Sequence, residues 1–249
     1  MQHKTVLITG ATSGIGLETA KHLAQKEYKL ILTGRNIKTL ESMSWPEDTQ
    51  IIYSDLSSPT SIDELCDQIK KGPHKNQLYS IVNNAGIFIR EGFLDTSLED
   101  WQKAMQVNFM STVQILKQLL PVMIDHPMNG QSVVNIASTA GYRPVEMTTC
   151  YSSTKAAMIS LTQTMALEFA KNNIRFNCIC PGVVDTPIHS IEKTEDPETV
   201  RKAYNELHPI GRLGTSKDIA YAVEHMIHEN NSWLTGDIMV LDGGLSLKG

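Results

Sequence analysis

Residues 5–16 read TVLITGATSGIG, an apolar run that leads directly into a glycine-rich turn. The run has the character of a buried strand, and a helical pattern follows the turn. Gly10, Gly14 and Gly16 allow a tight turn in which the backbone can approach a diphosphate, whose charge the amino end of a helix favours. The spacing is G-x-x-x-G-x-G with no Gly-Lys-Ser/Thr after it, which excludes a Walker loop. A plain structural turn is one interpretation, but a turn that opens a β-α-β unit favours a dinucleotide site.

Short β-rich runs alternate with helical patterns along the whole chain. Several strand candidates are nearly continuous apolar runs, as expected when helices cover both faces of a sheet. Ser58-Pro59 and Asp196-Pro197 each place a cap residue before a proline at the first helical position. The alternation predicts an α/β fold: a doubly wound parallel sheet of about seven strands flanked by helices, in a single Rossmann-type domain over residues 1–249. The predicted strands are 5–9, 29–33, 50–54, 79–83, 132–138, 174–180 and 238–241, and the predicted helices are 15–26, 59–71, 98–120, 151–171, 197–207 and 217–229.

The composition is that of an ordinary globular chain, with 249 residues, 41% hydrophobic and 20% charged, and a formal net charge of −5. A nucleic-acid-binding surface needs a basic stripe, and the longest basic runs are pairs such as Lys70-Lys71. The first apolar run is too short for a signal peptide, and the longest apolar stretches, such as 119–124, carry a proline. Cys178 and Cys180, two residues apart in a strand-like run, fit buried free thiols better than a disulfide. We therefore expect no nucleic-acid or membrane partner and a cytoplasmic location.

Tyr151 and Lys155 form a Tyr-x-x-x-Lys sequence, which places a phenol and an ammonium on one helix face. The ammonium can then stabilise the phenolate. Such a match is weak alone, but Ser138 closes the predicted strand 132–138 a short distance earlier in the chain. The carboxyl edge of a doubly wound sheet is where ligands are held, so these three side chains are candidate catalytic residues.

Six short motifs are distributed along the chain, and each is weak or moderate alone. Together, in this order and spacing, they resemble the short-chain dehydrogenase/reductase family, and the match covers essentially the whole length. The motifs are Thr9-Gly10-x-x-x-Gly14-Ile15-Gly16, Asn83-Asn84-Ala85-Gly86, Asn108, Ser138, Tyr151-x-x-x-Lys155 and Pro181-Gly182-x-x-x-Thr186.

The resemblance implies hydride transfer between a nicotinamide and a ketone or secondary alcohol. Ser138 and Tyr151 would hydrogen-bond the substrate oxygen, with Tyr151 as general acid in reduction and general base in oxidation. Lys155 would favour the phenolate and bond the nicotinamide ribose. Asn108 lies in a largely apolar run; it is either a buried amide that satisfies a helix irregularity or, in the family pattern, holds a water that links Lys155 to solvent.

The same resemblance implies which residues contact the cofactor. The glycine-rich turn would cradle the diphosphate. Asp55 and Leu56 would face adenine, although Asp55 is also a candidate helix cap before Ser58-Pro59. Asn84 would contact the adenosine ribose and brace the end of the fourth strand. The implied cofactor-binding residues are Gly10, Ser13, Gly14, Ile15, Gly16, Arg35, Asp55, Leu56, Asn84, Tyr151, Lys155, Val184 and Thr186.

The end of the second strand predicts which nicotinamide is used. An NAD enzyme of this fold places an acid there to bond the ribose 2′-hydroxyl, and this chain has Gly34 followed by Arg35. Gly34 would leave space for a 2′-phosphate, and the planar guanidinium of Arg35 can bind it. A solvated loop arginine is the alternative, since Ser13 stands where a second basic residue could be. We expect NADP, with NADPH preferred over NADH.

The substrate is less well defined by the sequence. A 3-oxoacyl-carrier-protein reductase is one alternative, favoured by Arg212-x-Gly214 and the Leu241-Asp242-Gly243-Gly244 end, but residues 124–130 carry no Lys or Arg to dock an acidic carrier. A nicotinamide sensor that has lost its chemistry is another, disfavoured because the Asn-Ser-Tyr-Lys set is complete. Residues 183–210 are expected to form a substrate lid.

Two further expectations concern assembly and metals. The helix 151–171 is apolar nearly all round and needs a cover on both sides, which favours a homo-oligomer, most simply a tetramer as in the family. His225 and His228 lack a third ligand in register, so no metal site is expected. His189 and His208, near the lid, could contact substrate, although surface positions are expected.

Overall fold

The strands of the computed structural model, which describes residues 4–189 and 194–248, form one parallel sheet in the order 3-2-1-4-5-6-7. The direction of winding reverses between the first and fourth strands, which leaves a crevice at their carboxyl ends. This is the predicted doubly wound α/β fold in one Rossmann-like domain. The strands are β1 (Thr5–Thr9), β2 (Lys29–Gly34), β3 (Gln50–Tyr53), β4 (Leu78–Asn83), β5 (Ser132–Ile136), β6 (Arg175–Pro181) and β7 (Ile238–Leu241).

Helices cover both faces of the sheet. The observed helix bounds agree best with the predicted ones where the sequence shows a capping residue. Ser58 accepts a hydrogen bond from the Ser61 backbone, and Asp196 accepts one from the Thr199 backbone. The helices that follow these two residues have the predicted bounds. The helices are α1 (Gly14–Ala24), α2 (Ile37–Glu41), α3 (Pro59–Lys71), α4 (Leu98–Met105), α5 (Ser111–Asp125), α6 (Thr139–Tyr142), α7 (Thr149–Phe169), α8 (Pro197–Leu207) and α9 (Ser216–Ile227), with a π turn at Gln106–Met110.

Two apolar layers form the core. On one face of the sheet, α1 and α9 pack together and bury side chains such as Leu23 and Val223. On the other face, α3 and α5 bury Leu65 and Ile115 against the strands. Every residue of β1, β4, β5 and β6 is buried, as the nearly continuous apolar runs predict. The four cysteines are buried and unpaired, as expected for Cys178 and Cys180.

The segment Leu98–Asp125 is helical throughout and runs past the predicted end at residue 120. Pro121 lies inside α5 rather than ending it. We expected no membrane partner, yet by length and composition this is the one helical segment in the described ranges that could cross a membrane. A buried core helix passes the same test, and Ile115, Leu119 and Met123 are fully buried against the sheet.

Arg175, the first residue of β6, is buried and donates to backbone carbonyls at the carboxyl end of α9. Its guanidinium bonds Met226 O at 2.7 Å, Gly130 O at 3.0 Å and Leu234 O at 3.3 Å. A cation is favoured at a helix carboxyl end, where carbonyl groups lack helical partners. Arg175 therefore ties α9 to the loops before β5 and β7.

Candidate active site

A cavity of about 730 Å³ opens at the carboxyl ends of the strands. Its walls come from the loops after β1, β2, β3, β4, β5 and β6, so it spans the crevice that the strand order creates. Most of the residues predicted to hold the cofactor or act in catalysis line it. Among them are Gly10, Ser13, Gly14, Ile15, Arg35, Asp55, Leu56, Asn84, Ser138, Tyr151, Lys155, Val184 and Thr186.

The glycine-rich turn is fixed by close backbone contacts. Gly10 has a φ of +65°, and a Cβ there would lie 2.9 Å from the Cα of Ala85. A Cβ on Gly16 would lie 2.4 Å from the carbonyl oxygen of Gly10, which explains why Gly16 is required although it does not line the cavity. The Asn84 amide donates to Thr9 O at 2.9 Å. Asn84 thus braces the end of β4 against the turn, as predicted.

The turn and the start of α1 suit a diphosphate. Ser13 is the N-cap residue of α1, yet its side chain makes no capping hydrogen bond, so its hydroxyl is available. Gly14 has a φ of +52°, and a Cβ there would meet Thr186 at 3.3 Å, so the loop after β6 faces the amino end of α1. Free backbone N–H groups at that end favour an anion. A dinucleotide therefore fits, with Ile15 and Val184 beside it.

The adenosine half of the cavity shows one departure from the sequence argument. Arg35 is exposed and lines the cavity, as predicted. The space beside Gly34 is not open, because a Cβ there would lie 2.7 Å from Cγ2 of Thr12. Asp55 accepts hydrogen bonds from the backbone and hydroxyl of Ser57, which hold its pKa below the usual range with help from Arg35. Leu56 beside it is buried.

Ser138, Tyr151 and Lys155 meet at the nicotinamide half of the cavity. Ser138 lies two residues beyond β5, and its side chain is close enough to the Tyr151 phenol to lower the pKa of that phenol. Lys155, one turn along α7, is buried and donates from Nζ to Ile136 O at 2.8 Å. Its Nζ lies 5.6 Å from the centre of the Tyr151 ring. The predicted triad is therefore assembled in one place.

Burial dominates the ionisation of this group. It raises the pKa of Tyr151 to about 12, against the smaller lowering effect of the Ser138 hydrogen bond. It also lowers the pKa of Lys155 to about 8. We expected Lys155 to favour the phenolate. In the protein alone the phenol is the stable form at neutral pH.

Asn108 lies in the π turn between α4 and α5 and is buried. Its side-chain oxygen accepts from Ile87 N at 2.7 Å, and its amide donates to Ile87 O at 2.9 Å and to Thr154 Oγ1 at 3.1 Å. The first of the two interpretations, a buried amide at a helix irregularity, describes these contacts. The amide also borders the lysine, because a Cβ on Gly86 would lie 3.3 Å from Asn108 Oδ1 and 3.5 Å from Lys155 Nζ.

An aromatic wall beside Tyr151 was not predicted. The ring of Phe88 meets that of Tyr151 edge-on at 4.8 Å, and His189 packs on Phe88 at 5.4 Å. Tyr204 of α8 lies 6.3 Å from His189. Burial lowers the pKa of His189, so its ring is neutral in this wall. His189 therefore borders the cavity, while the apolar Phe88 gave no signal of its role in the sequence.

His208 is buried, and our expectation of a surface position for it was wrong. Its Nε2 accepts from the Val183 backbone at 3.3 Å, so Nδ1 is the protonated nitrogen and donates to Tyr204 O at 2.7 Å. The ring joins α8 to the loop after β6. Residues 190–193 of the predicted lid lie outside the described residues. Among those described, no group of three metal-ligating side chains occurs.

Comparisons with known proteins agree with this geometry. Residues 10–246 match the family model described as Enoyl-(Acyl carrier protein) reductase. Dehydrogenase/reductase SDR family member 6 of Rattus norvegicus is 30% identical over 99% of each chain, and 3-oxoacyl-[acyl-carrier-protein] reductase FabG of Aquifex aeolicus is 29% identical over 98% of each. The solved structure of ElxO with NADP bound has a TM-score of 0.87 and 29% identity, covering 99% of this chain and 100% of that one. The chain belongs to the short-chain dehydrogenase/reductase family of oxidoreductases.

Proposed function

We propose that the chain is an NADP(H)-dependent oxidoreductase that interconverts a ketone and a secondary alcohol, with Tyr151 as the general acid and base. The observation that carries the proposal is the meeting of Ser138, Tyr151 and a buried Lys155 in one cavity at the carboxyl edge of the sheet. When bound, the nicotinamide supplies or accepts the hydride at the substrate carbon. The chain itself supplies the position and the proton.

Ser138 and Tyr151 orient the substrate oxygen between two hydroxyl groups. Their hydrogen bonds polarise the carbonyl and strengthen as negative charge develops on its oxygen. Tyr151 then donates its proton to that oxygen. Lys155, buried beside the ring, stabilises the phenolate until the proton is replaced.

The ionisation of Tyr151 favours reduction near neutral pH. A pKa of about 12 keeps the phenol protonated, which is the form that a general acid needs. Oxidation needs the phenolate and is favoured by higher pH or by the positive charge of an oxidised nicotinamide.

Arg35 supports NADPH as the preferred reduced cofactor. It is a cavity-lining cation at the end of β2, and no carboxylate precedes it to accept the ribose 2′-hydroxyl. The NADP-bound structural relative is consistent with this choice. The non-catalytic sensor is less well supported, because the catalytic side chains are present and assembled.

Reduction of a 3-oxoacyl group on a carrier protein is a second candidate, favoured by the matched family model and the bacterial carrier-protein reductase. The carrier would need cations at the cavity mouth. The lid, which includes α8, would then select the acyl group. We also propose a cytoplasmic location, since four buried, unpaired thiols suit a reducing compartment.

The test is a screen of purified protein with NADPH or NADH against diketones, sugars, steroids, acetoacetyl esters and acetoacetyl-carrier protein. We expect NADPH-dependent reduction of at least one carbonyl class. Tight cofactor binding with no turnover on any compound would instead support the sensor. Turnover confined to the carrier-linked substrate would select the second candidate.

A further inference from the structure

The nicotinamide half of the cavity is lined by cations without acids. Arg90, Arg143 and Lys248 border it, and the one carboxylate among the described lining residues is Asp55 at the adenosine half. No described carboxylate forms an ion pair with Arg90 or Arg143. Cations that line a cavity without a paired acid create a positive potential there, which concentrates anions.

Arg90 is close in the chain to a residue that contacts Tyr151. It follows Phe88, whose ring meets that of Tyr151 at 4.8 Å, by two residues in the loop after β4. Besides the larger effect of burial, the pKa of His189 is raised by Asp185, which is paired with Arg201, and lowered by Arg90, so both charges lie near His189. Arg90 is exposed and lines the same cavity as Tyr151.

Arg143 borders the same part of the cavity from a second segment. It follows α6, which Ser138 caps, and its guanidinium donates to the Ser246 carbonyl near the end of the described chain. The Glu91 backbone donates to Met147 O at 2.8 Å, which joins the segments that carry the two arginines. Arg90 and Arg143 therefore lie on connected segments of the rim of the cavity that holds Ser138 and Tyr151.

We propose that Arg90 and Arg143 bind an anionic group of the substrate, a carboxylate or a phosphate, while Ser138 and Tyr151 hold its carbonyl oxygen. The inference rests on the proposed function and adds the substrate class: oxo acids or phosphorylated ketones and the corresponding alcohols. A guanidinium presents a planar fork of donors that matches either anion. An arginine that only contacts solvent would have no reason to line the cavity.

Matched pairs of anionic and neutral compounds test the proposal. Pyruvate is compared with pyruvamide, acetoacetate with acetoacetamide, and dihydroxyacetone phosphate with dihydroxyacetone; acetoacetyl-carrier protein is a further arm. We expect a kcat/KM at least about tenfold higher for the anion in one pair, and that pair identifies carboxylate or phosphate. Equal or better turnover of the neutral partners, or turnover of the carrier-linked substrate alone, overturns the proposal.

Arg90→Met and Arg143→Met test the residues. Each is expected to raise KM for the anion by about ten- to a hundredfold, while KM for the neutral partner changes less than about twofold. Lys75→Met, which removes an exposed charge away from the cavity, is the control and should change neither. Equal losses on both partners would show a structural role and contradict the proposal.

Direct binding separates this inference from the proposed function. If no compound is reduced, the proposed function fails, and calorimetry with malonate and malonamide then measures the anion site alone. Wild type should bind malonate more tightly, and Arg90→Met should abolish that difference. Equal binding of the two compounds by wild type would refute the anion site as well.

Discussion

Lys155 donates from Nζ to the carbonyl oxygen of Ile136 at 2.8 Å, which joins the second turn of α7 to the last residue of β5. Because Ser138 follows Ile136 by two residues, this bond sets the distance between the strand that carries the serine and the helix that carries Tyr151. The lysine therefore has a positional role in addition to its charge.

Removal of the Tyr151 hydroxyl should stop proton transfer while leaving the ring against Phe88. General acid–base help is worth roughly 10²–10⁴-fold, so Tyr151→Phe should lower kcat by at least about a hundredfold with the NADPH Kd unchanged. Steady-state kinetics and fluorescence titration measure the two. Tyr142→Phe, an exposed tyrosine of α6, is the control. A variant that keeps more than about a tenth of the wild-type rate would contradict the assignment.

The pH profile of reduction should reflect Lys155. Its charged form is lost as pH rises through about 8, whereas Tyr151 keeps its proton up to about 12. The kcat/KM for ketone reduction, which follows ionisations of the free enzyme, should therefore fall above about pH 8. Lys103→Met, which removes an exposed cavity cation, should keep the transition, and Lys155→Met should abolish it. A wild-type profile that is flat to pH 10 would refute the prediction.

Cofactor preference should depend on Arg35. Arg35→Ala should weaken NADPH binding by roughly ten- to a hundredfold, because one hydrogen bond to a charged group contributes about 1.5–3 kcal/mol, and NADH binding should change little. Lys38→Ala, at an exposed position of α2, is the control. Equal kcat/KM for the two cofactors in wild type, or a preference for NADH, would rule the argument out.

The reverse change needs two substitutions. Gly34→Asp alone would place a Cβ against Thr12, so its loss of activity would be ambiguous. Thr12→Ser removes the methyl group that occupies the space. The pair Thr12→Ser and Gly34→Asp should shift preference toward NADH through repulsion of the 2′-phosphate, and Thr12→Ser alone should not.

Loss of the Arg175 guanidinium should destabilise the fold. Arg175→Met leaves buried carbonyls of Met226 and Gly130 without their donor, and each unsatisfied group costs about 1–3 kcal/mol. We expect a loss of about 3 kcal/mol in the free energy of unfolding, measured by urea denaturation. Arg212→Met, which removes an exposed ion pair with Asp218, should leave the midpoint nearly unchanged. Equal effects of the two variants would contradict the role of Arg175.

Exposed apolar side chains support the proposed homo-oligomer. Leu167 of α7 is 82% exposed and Trp233, before β7, is 99% exposed. The two segments are neighbours, since a Cβ on Gly236 would lie 3.5 Å from that of Ala166. We expect a tetramer by light scattering, and smaller species for Leu167→Glu and Trp233→Glu. A wild-type monomer at micromolar concentration would contradict the proposal.

Local chemistry explains which parts of the fold were predictable. The bounds of α3 and α8 follow from Ser58-Pro59 and Asp196-Pro197, where capping residue and proline are adjacent in the sequence. The five-residue α2 and the four-residue α6 were missed, because such short helices show no full amphipathic period and depend on packing against the sheet.

In the candidate site, too, the residues with a local sequence signal were predictable and those that depend on packing were not. Ser138 and Tyr151 could be placed together because Ser138 ends a recognisable strand in the sequence and Tyr151 begins a recognisable helix. The contact of Thr12 with Gly34 and the bond from Val183 to His208 connect residues far apart in the chain, and no local pattern encodes them. Burial likewise reversed the expected direction of the Tyr151 pKa, since desolvation depends on the assembled walls.

The π turn at Gln106–Met110 constrains how this chain could vary in length. One residue advances an α-helix by about 100°, so a deletion that restored regular α geometry here would rotate either Asn108 or the buried stripe of α5 by that angle. The same deletion in a surface loop would change the loop without rotating a helix. We therefore expect alignments of homologous sequences to contain no single-residue gap over Leu98–Asp125. The residues of this segment can then be matched one to one between distant relatives.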